Sequence, residues 1–191
     1  MNLGRYSHTR TPSFHTERLV CYPLLVSDYS EFEAGREPHW SDFTNPFKHL
    51  IEGPSPLAHR IPRVKTHPLF AEIGLILAVQ KSTMQIIGSA GFHDLPDENG
   101  MIEVGFGIVD NKQNNGFGTE LLIGMWKMIC QRPDVQTLRY TVSPENAPSM
   151  HIVKKMGFTL KGEQIDPEDG VELIYEQSVQ EFRARHDNFI D

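Results

Sequence analysis

The first 15 residues are polar, include Thr11-Pro12-Ser13, and read as an N-terminal arm. Apolar positions then gather in short runs bounded by turn residues, the spacing expected of strands. The first run covers 16–24 and is stopped by Pro23. Ser27 or Asp28 can cap a short helix to Glu37, with Phe32 and Ala34 as its apolar content. From 38 to 68 the period is lost among prolines at 38, 46, 54, 56, 62 and 68. An irregular segment of that length points to a lid or binding loop. It carries Lys48, Arg60, Arg63 and Lys65 against Asp42 and Glu52, so the plainer reading is a solvated basic loop holding at most a short helix. Regularity returns with strands at 73–80, 86–92 and 101–108, the first two joined at Lys81-Ser82-Thr83. A helix over 119–131 follows from Leu121, Leu122, Met125, Met128 and Ile129 at helical spacing, with Pro133 beyond its end. A strand at 137–142, a helix at 147–156 ended by Gly157, and a strand pair at 160–165 and 171–176 complete the order. The class is α/β with α+β character: a strand meander, then a strand–loop–helix–strand unit. One domain spans 16–177, and 178–191 is left as a tail with helical potential.

A length of 191 residues fits a single domain and suffices to bury a core without covalent staples. Hydrophobic residues at 39% and charged residues at 23% exclude disorder for the bulk of the chain. Eighteen basic against 25 acidic side chains leave a net charge of −7, which disfavours duplex nucleic acid and anionic membranes and suits a cationic acceptor. Cys21 and Cys130 form no CxxC pair and are expected as buried thiols in a reducing compartment. No apolar signal region is visible at the start, and the longest aliphatic run, 73–79, is far short of the roughly 20 residues of a membrane span. A soluble, cytoplasmic protein is the expectation.

The chemistry concentrates between 102 and 120. On the strand, Ile102, Val104, Phe106 and Ile108 share one face, and Glu103, Gly105 and Gly107 share the other. Glycine weakens a strand, so two on one face imply close approach of a ligand or a bulky neighbour. Downstream, Gly116 and Gly118 sit where a loop becomes an amphipathic helix. Small residues there let successive N–H groups converge, and the helix start adds positive potential, which suits a phosphate. A P-loop is excluded because no Gly-Lys-Ser/Thr follows, and the dinucleotide fingerprint fails at Leu121 or, read from Gly105, at Asp110.

Gln113-x-x-Gly116-x-Gly118, between a glycine-bearing strand and a helix, resembles the phosphate-binding motif of the GNAT superfamily of acyl-CoA N-acyltransferases. Asn146-Ala147-Pro148-Ser149, followed by a helix ending in Gly157-Phe158, resembles the second block of that family. Thr16-Glu17-Arg18-Leu19 is similar to the opening of the branch that includes ribosomal-protein alanine N-acetyltransferases. The resemblance covers about 16–177 and implies a partly splayed mixed sheet flanked by helices, with acetyl-CoA wedged where two strands diverge. It implies that the backbone of Phe106, Gly107 and Ile108 meets the pantetheine arm. Gln113, Asn114, Asn115, Gly116, Phe117 and Gly118, with Thr119 at the helix start, would hold the pyrophosphate. Asn146 would reach the cofactor, while its plainer role is a helix N-cap. Family habit implies a homodimer.

In such enzymes the acceptor amine attacks the thioester directly, so the protein must accept a proton, polarise a carbonyl and stabilise a thiolate. Glu103, on the glycine face, is the expected base, acting through a water; the plainer reading is a salt-bridged carboxylate. The tyrosine that many relatives use as acid is replaced here by Val153. Ser149 matches the serine attributed to the ribosomal-protein branch, and its plainer role is a bond to its own helix backbone. His93 and His151 have weaker claims, and no metal is expected. The acceptor is a protein N-terminus or a small amine. A non-catalytic acyl-CoA sensor is the competing class, kept open by Val153 and by Asn114, where relatives often carry glycine.

Overall fold

The computed structural model describes residues 10–53, 55–167 and 170–186. Their elements run β1 (Phe14–His15), β2 (Leu19–Pro23), α1 (Val26–Glu33), α2 (Leu57–Thr66), α3 (Ala71–Gly74), β3 (Ile76–Gln80), β4 (Gln85–Phe92), β5 (Met101–Ile108), α4 (Phe117–Ile129), β6 (Thr137–Val142), α5 (Ala147–Lys155), β7 (Thr159–Asp166), β8 (Gly170–Ser178) and α6 (Val179–His186). The strands form one sheet of order β1-β2-β3-β4-β5-β6-β8-β7. Every neighbouring pair is antiparallel except β5 and β6, which run parallel around the crossover helix α4. This is the expected mixed α/β class.

Burial explains the layering. All of β4 from Ile86 to Phe92 is buried, as a central strand covered on both faces must be. Leu121, Leu122, Met125, Trp126 and Ile129 turn one side of α4 into the core, and Trp126 stacks against Phe92 and Phe158. Cys21 and Cys130 are both buried, and burial pushes the Cys21 thiol up to about 12. Among the described residues no helix is long and apolar enough to cross a membrane.

Several boundaries differ from the sequence expectation. Residues 14–15, inside the segment read as an arm, pair with β2, and Phe14 packs so closely on Gly124 that no Cβ would fit there. Arg10 continues the attachment through a buried ion pair with Asp28, at 2.7 Å. Asp28 also accepts from the Leu25 N–H, so α1 starts earlier than expected and ends at Glu33, before Gly35 at φ +71°. The irregular 38–68 segment contains the ten-residue helix α2, whose core positions are Leu57, Arg60 and Val64. An arginine at a core position and Pro62 inside the helix hide its period. The strand expected at 73–80 begins at Ile76, because 71–74 form the last helical turn before it. Three of the four basic side chains named in this region are paired: Lys48 with Glu37, Arg63 with Asp94, and Lys65 with Glu33. In the tail, α6 buries Val179 and Phe182.

Candidate active site

The sheet splits at its centre. β5 and β6 pair only through Met101 with Thr137, Ile102 with Leu138, and Glu103 with Arg139. Beyond Glu103, β5 stays bonded to β4 through Phe106–Ala90, Gly107–Ser89 and Ile108–Gly88. Its opposite edge from Val104 to Ile108 has no strand partner, and main-chain groups at such an edge seek other partners. Gln113 supplies one, its Nε2 donating to the Ile108 carbonyl at 2.9 Å and to Asp110 Oδ1 at 3.1 Å. Phe106 of β5 and Tyr140 of β6 face each other across the gap with ring centroids 6.0 Å apart. The two strand glycines have different reasons. A Cβ on Gly105 would lie 2.8 Å from His93 Nε2, whereas one on Gly107 would meet nothing within 4 Å. Gly105 makes room for a histidine; Gly107 leaves the strand surface bare.

The split opens toward the head of α4. Asn114 and Gly116 adopt left-handed conformations, φ +59° and +79°, and curl the chain so that its amides converge. Among the described residues, no acceptor takes the main-chain N–H of any residue from Asn114 to Thr119; the next, Glu120 N–H, bonds Gly116 O at 3.1 Å. Unpaired donors at a helix start, reinforced by its dipole, form an anion cradle. The loop is braced from behind. Asn115 Nδ2 bonds the Gln113 carbonyl at 2.7 Å, and Arg18 Nη1 bonds the Asn115 carbonyl at 2.9 Å while its guanidinium lies 4.2 Å from the Phe117 ring centre. Glu120 closes the brace on Arg18 Nε at 2.7 Å and on the Thr16 hydroxyl. Thr16 and Arg18 of the opening motif therefore clamp the loop. Gly118 lets Phe106 approach, since a Cβ there would be 2.9 Å from its ring.

Glu103 marks the last paired rung. Its Oε1 accepts from Thr141 Oγ1 at 2.5 Å and lies 3.4 Å from His93 Nδ1. Burial raises its pKa above the ordinary carboxylate value, opposed by the Thr141 hydroxyl, Arg139 and Arg60 and aided by Asp166. His93 is pushed down to about 4, first by partial desolvation and then by Arg60 and His59. At neutral pH the ring is uncharged. A cleft of about 330 Å³ adjoins them, lined by Arg63, His93, Asp94, Met101 and Glu103 among others.

Ser149, at the start of α5, is buried, and its main-chain N–H bonds Asn146 Oδ1 at 3.2 Å. Asn146 thus acts as the N-cap. Burial pushes the Tyr140 phenol up to about 12, opposed by the neighbouring Ser149. Adjacent strand residues point to opposite faces, so Tyr140 with Ser149 lies on one side of β6 and Thr141 with Glu103 on the other. The two expected catalytic residues thus flank the split from opposite faces. His151 is exposed on α5.

Three residues near the split were missed by the sequence reading. Tyr140 is one. Arg60, 7% exposed, donates from Nε to the Gly74 carbonyl at 3.1 Å, and its charge bears on both Glu103 and His93. His49, from the irregular segment, bonds Ser89 Oγ through Nε2 at 2.8 Å; burial holds it down to about 4. Ser89 is opposite Gly107 in register, so this segment roofs the bare strand. Arg60 and His49 carried no periodic or motif signal. Among the described residues no group of His, Cys, Asp or Glu could hold a metal ion.

The profile of the acetyltransferase (GNAT) domain matches residues 18–159, and the chain belongs to that family. It is 27% identical over 153 residues, 78% of this chain and 84% of the other, to the uncharacterized N-acetyltransferase p20 of Bacillus licheniformis. Matches to two further curated relatives span only about half of their length. The ribosomal-protein-S5-alanine acetyltransferase of Vibrio fischeri is similar in structure at a TM-score of 0.61 and 14% identity, over 88% of this chain and 97% of that one. So is the aminoglycoside acetyltransferase AAC(6')-Ib in complex with coenzyme A, at 0.57 and 15%, over 88% and 99%. Identities this low speak for the fold. The family uses acetyl-CoA, and the residues present fit it: six unbonded amides for a diphosphate and an unpaired strand edge for an extended amide-bearing arm.

Proposed function

We propose that this protein moves the acetyl group of acetyl-CoA to a primary amine, on a protein N-terminus or a small molecule, by direct attack without an acyl-enzyme. The observation that carries this is the cradle of unbonded amides from Asn114 to Thr119 placed at the end of an open strand edge. Acetyl-CoA supplies an activated thioester. Gln113, Asn114, Asn115, Gly116, Phe117, Gly118 and Thr119 shape or line the diphosphate site, with Gln113 acting as a strut to Ile108. Phe106, Gly107 and Ile108 offer main chain to the pantetheine arm. Glu103, strengthened as a base by burial, draws the proton from the attacking nitrogen directly or through a water. Ser149 donates from the opposite face to the departing sulfur. Asn146 fixes the start of α5 and thereby Ser149. Acceptors reach Glu103 from the cleft beside His93, under the segment that carries Arg60 and His49.

The test is a panel of N-terminal peptides, amino acids, polyamines and aminoglycosides incubated with acetyl-CoA, with free thiol titrated over time. Amine-dependent thiol release is expected for at least one class. Tight coenzyme A binding without release across the panel would favour the sensor.

A further inference from the structure

The basic side chains between 38 and 68 differ in one respect. Lys48, Arg63 and Lys65 each hold a carboxylate, whereas Arg60, buried at 7% exposed, holds none. Its Nε donates to the Gly74 carbonyl at 3.1 Å, and among the described residues Nη1 and Nη2 have neither a hydrogen bond nor an ion pair. Neither atom belongs to the fully enclosed unpartnered groups, so the fork ends in open space. Burial lowers the pKa of Arg60, opposed by Tyr29, Asp94 and Glu103, as for a cation short of a partner. Buried charges are ordinarily paired, so an unpaired one facing a gap marks a missing anion. The contacts of Gly74 fix where that anion sits. Its carbonyl packs on Gly91 of β4 so tightly that no Cβ would fit there, and Gly91 pairs with Gly105 of β5. Glu103 is two residues along β5 on the same face, 3.4 Å from the His93 ring that lies against Gly105. Diagonal neighbours of this kind are about 7–8 Å apart, so Gly91, under the Arg60–Gly74 contact, is one short molecule away from Glu103. Arg63, one turn further along α2, lines the cleft at Glu103 but is neutralised by Asp94. Gly91 lies on the side of β5 away from the split, which assigns the missing anion to the acceptor and not to coenzyme A.

We infer that Arg60 anchors a carboxylate on the acceptor: the substrate is a free amino acid, whose carboxylate meets the unbonded fork while its amine stands at Glu103. This rests on the reading that Glu103 serves acetyl transfer. In the step, the amine nitrogen bonds the acetyl carbon, and the C–S bond breaks with its electron pair going to sulfur. The amine proton goes to Glu103, the thiolate takes a proton from solvent, and the carboxylate and Arg60 keep their charges throughout. A fixed cation near the incoming ammonium also favours its neutral, attacking form. Local charge here overrules the net −7 of the chain. A polyamine would bring a second cation toward Arg60, and a peptide N-terminus would offer the fork a neutral carbonyl. Both leave the buried guanidinium without a counter-charge, whereas a carboxylate matches its planar fork with two parallel hydrogen bonds. Arg60 is thus a specificity-determining residue, one strand away from the bond that breaks.

The experiment measures thiol release from acetyl-CoA with matched triads: an α-amino acid, its amide, and the amine left when the carboxylate is removed. The triads cover small, aromatic, acidic and basic side chains, and the proteins are wild type, Arg60→Lys and Arg60→Met. For at least one triad, wild type should use the acid with a kcat/KM roughly ten- to a hundred-fold above that of the amide and the amine, the scale of a hydrogen bond between charges. Arg60→Met should erase that preference while changing kcat/KM for the amide less than about three-fold, whereas loss of a merely structural arginine would lower all three alike. Arg60→Lys, which keeps the charge without the fork, should retain part of the preference. A Kd for coenzyme A within about two-fold of wild type shows that each variant is folded. If Arg60→Met does not fold, the wild-type preference and its reduction in Arg60→Lys decide the matter. Amides or decarboxylated amines used as well as the acids, release only with peptides or polyamines, or a preference undiminished in the variants would overturn the inference and leave acetyl transfer standing. No thiol release with any acid, amide, amine, peptide or polyamine would overturn both.

Discussion

Glu103 is pulled two ways. Burial makes its charge costly and so makes the carboxylate a better base, while the Thr141 hydroxyl, Arg139 and Arg60 hold it ionised. An activity that needs ionised Glu103 falls as pH drops through its elevated titration point. Removing the Thr141 donor takes away a stabiliser of the charged form, so Thr141→Val should move the acidic limb of kcat/KM upward by about one pH unit. Glu103→Gln should lower kcat by roughly 10²–10⁴-fold with little change in coenzyme A affinity. A pH–rate profile and a calorimetric Kd check both, and a limb unmoved in Thr141→Val would deny Glu103 the role of base. Glu103 was legible because strand alternation puts it on the face with Gly105 and Gly107. Tyr140 was not, since an aromatic on an alternating strand reads as core until its neighbours are known.

At the scale of elements, the head of α4 works as a socket held by a distant clamp. Burial tends to raise the pKa of Glu120, but hydrogen bonds from the Thr16 hydroxyl, the Arg18 N–H and its guanidinium outweigh this and lower it. A carboxylate depressed in the fold adds stability that is complete above its unfolded titration point and lost as pH falls through the folded one. The clamp is thus intact at neutral pH and is lost only below the ordinary carboxylate titration point. Arg18→Ala should therefore weaken coenzyme A binding about five- to twenty-fold, by loosening Asn115 and Phe117, while far-ultraviolet circular dichroism stays unchanged; equal affinity would show that the loop holds its own shape. Glycines at 116 and 118 made the socket readable in the sequence. The clamp was not, because Arg18 and Glu120 are over a hundred residues apart and nothing local links them. α2 stayed hidden for another reason: its buried stripe includes Arg60, and Pro62 interrupts it.

Viewed whole, the molecule is two half-sheets, β1 to β5 and β6-β8-β7, joined by three rungs and spanned by α4. Glu103 belongs to the first half and Tyr140 to the second, with the unbonded amides at the head of α4 beside the gap. A ligand filling the gap touches both, so coenzyme A at a hundred times its Kd should add about 2.7 kcal/mol and raise the melting temperature by roughly 5–10 °C. Scanning calorimetry with and without ligand measures it, and an unchanged melting point at saturation would exclude a site bridging the halves. The division also explains why the mixed sheet was legible from strand order while its opening was anticipated only through the family resemblance: alternation persists along β5 whether or not a neighbour is bonded to it. The three rungs have an evolutionary corollary. Substitutions that let β5 and β6 zip together for two more residues would yield a more regular, sturdier protein with its workplace sealed, so selection for robustness and selection for turnover pull against each other at that seam.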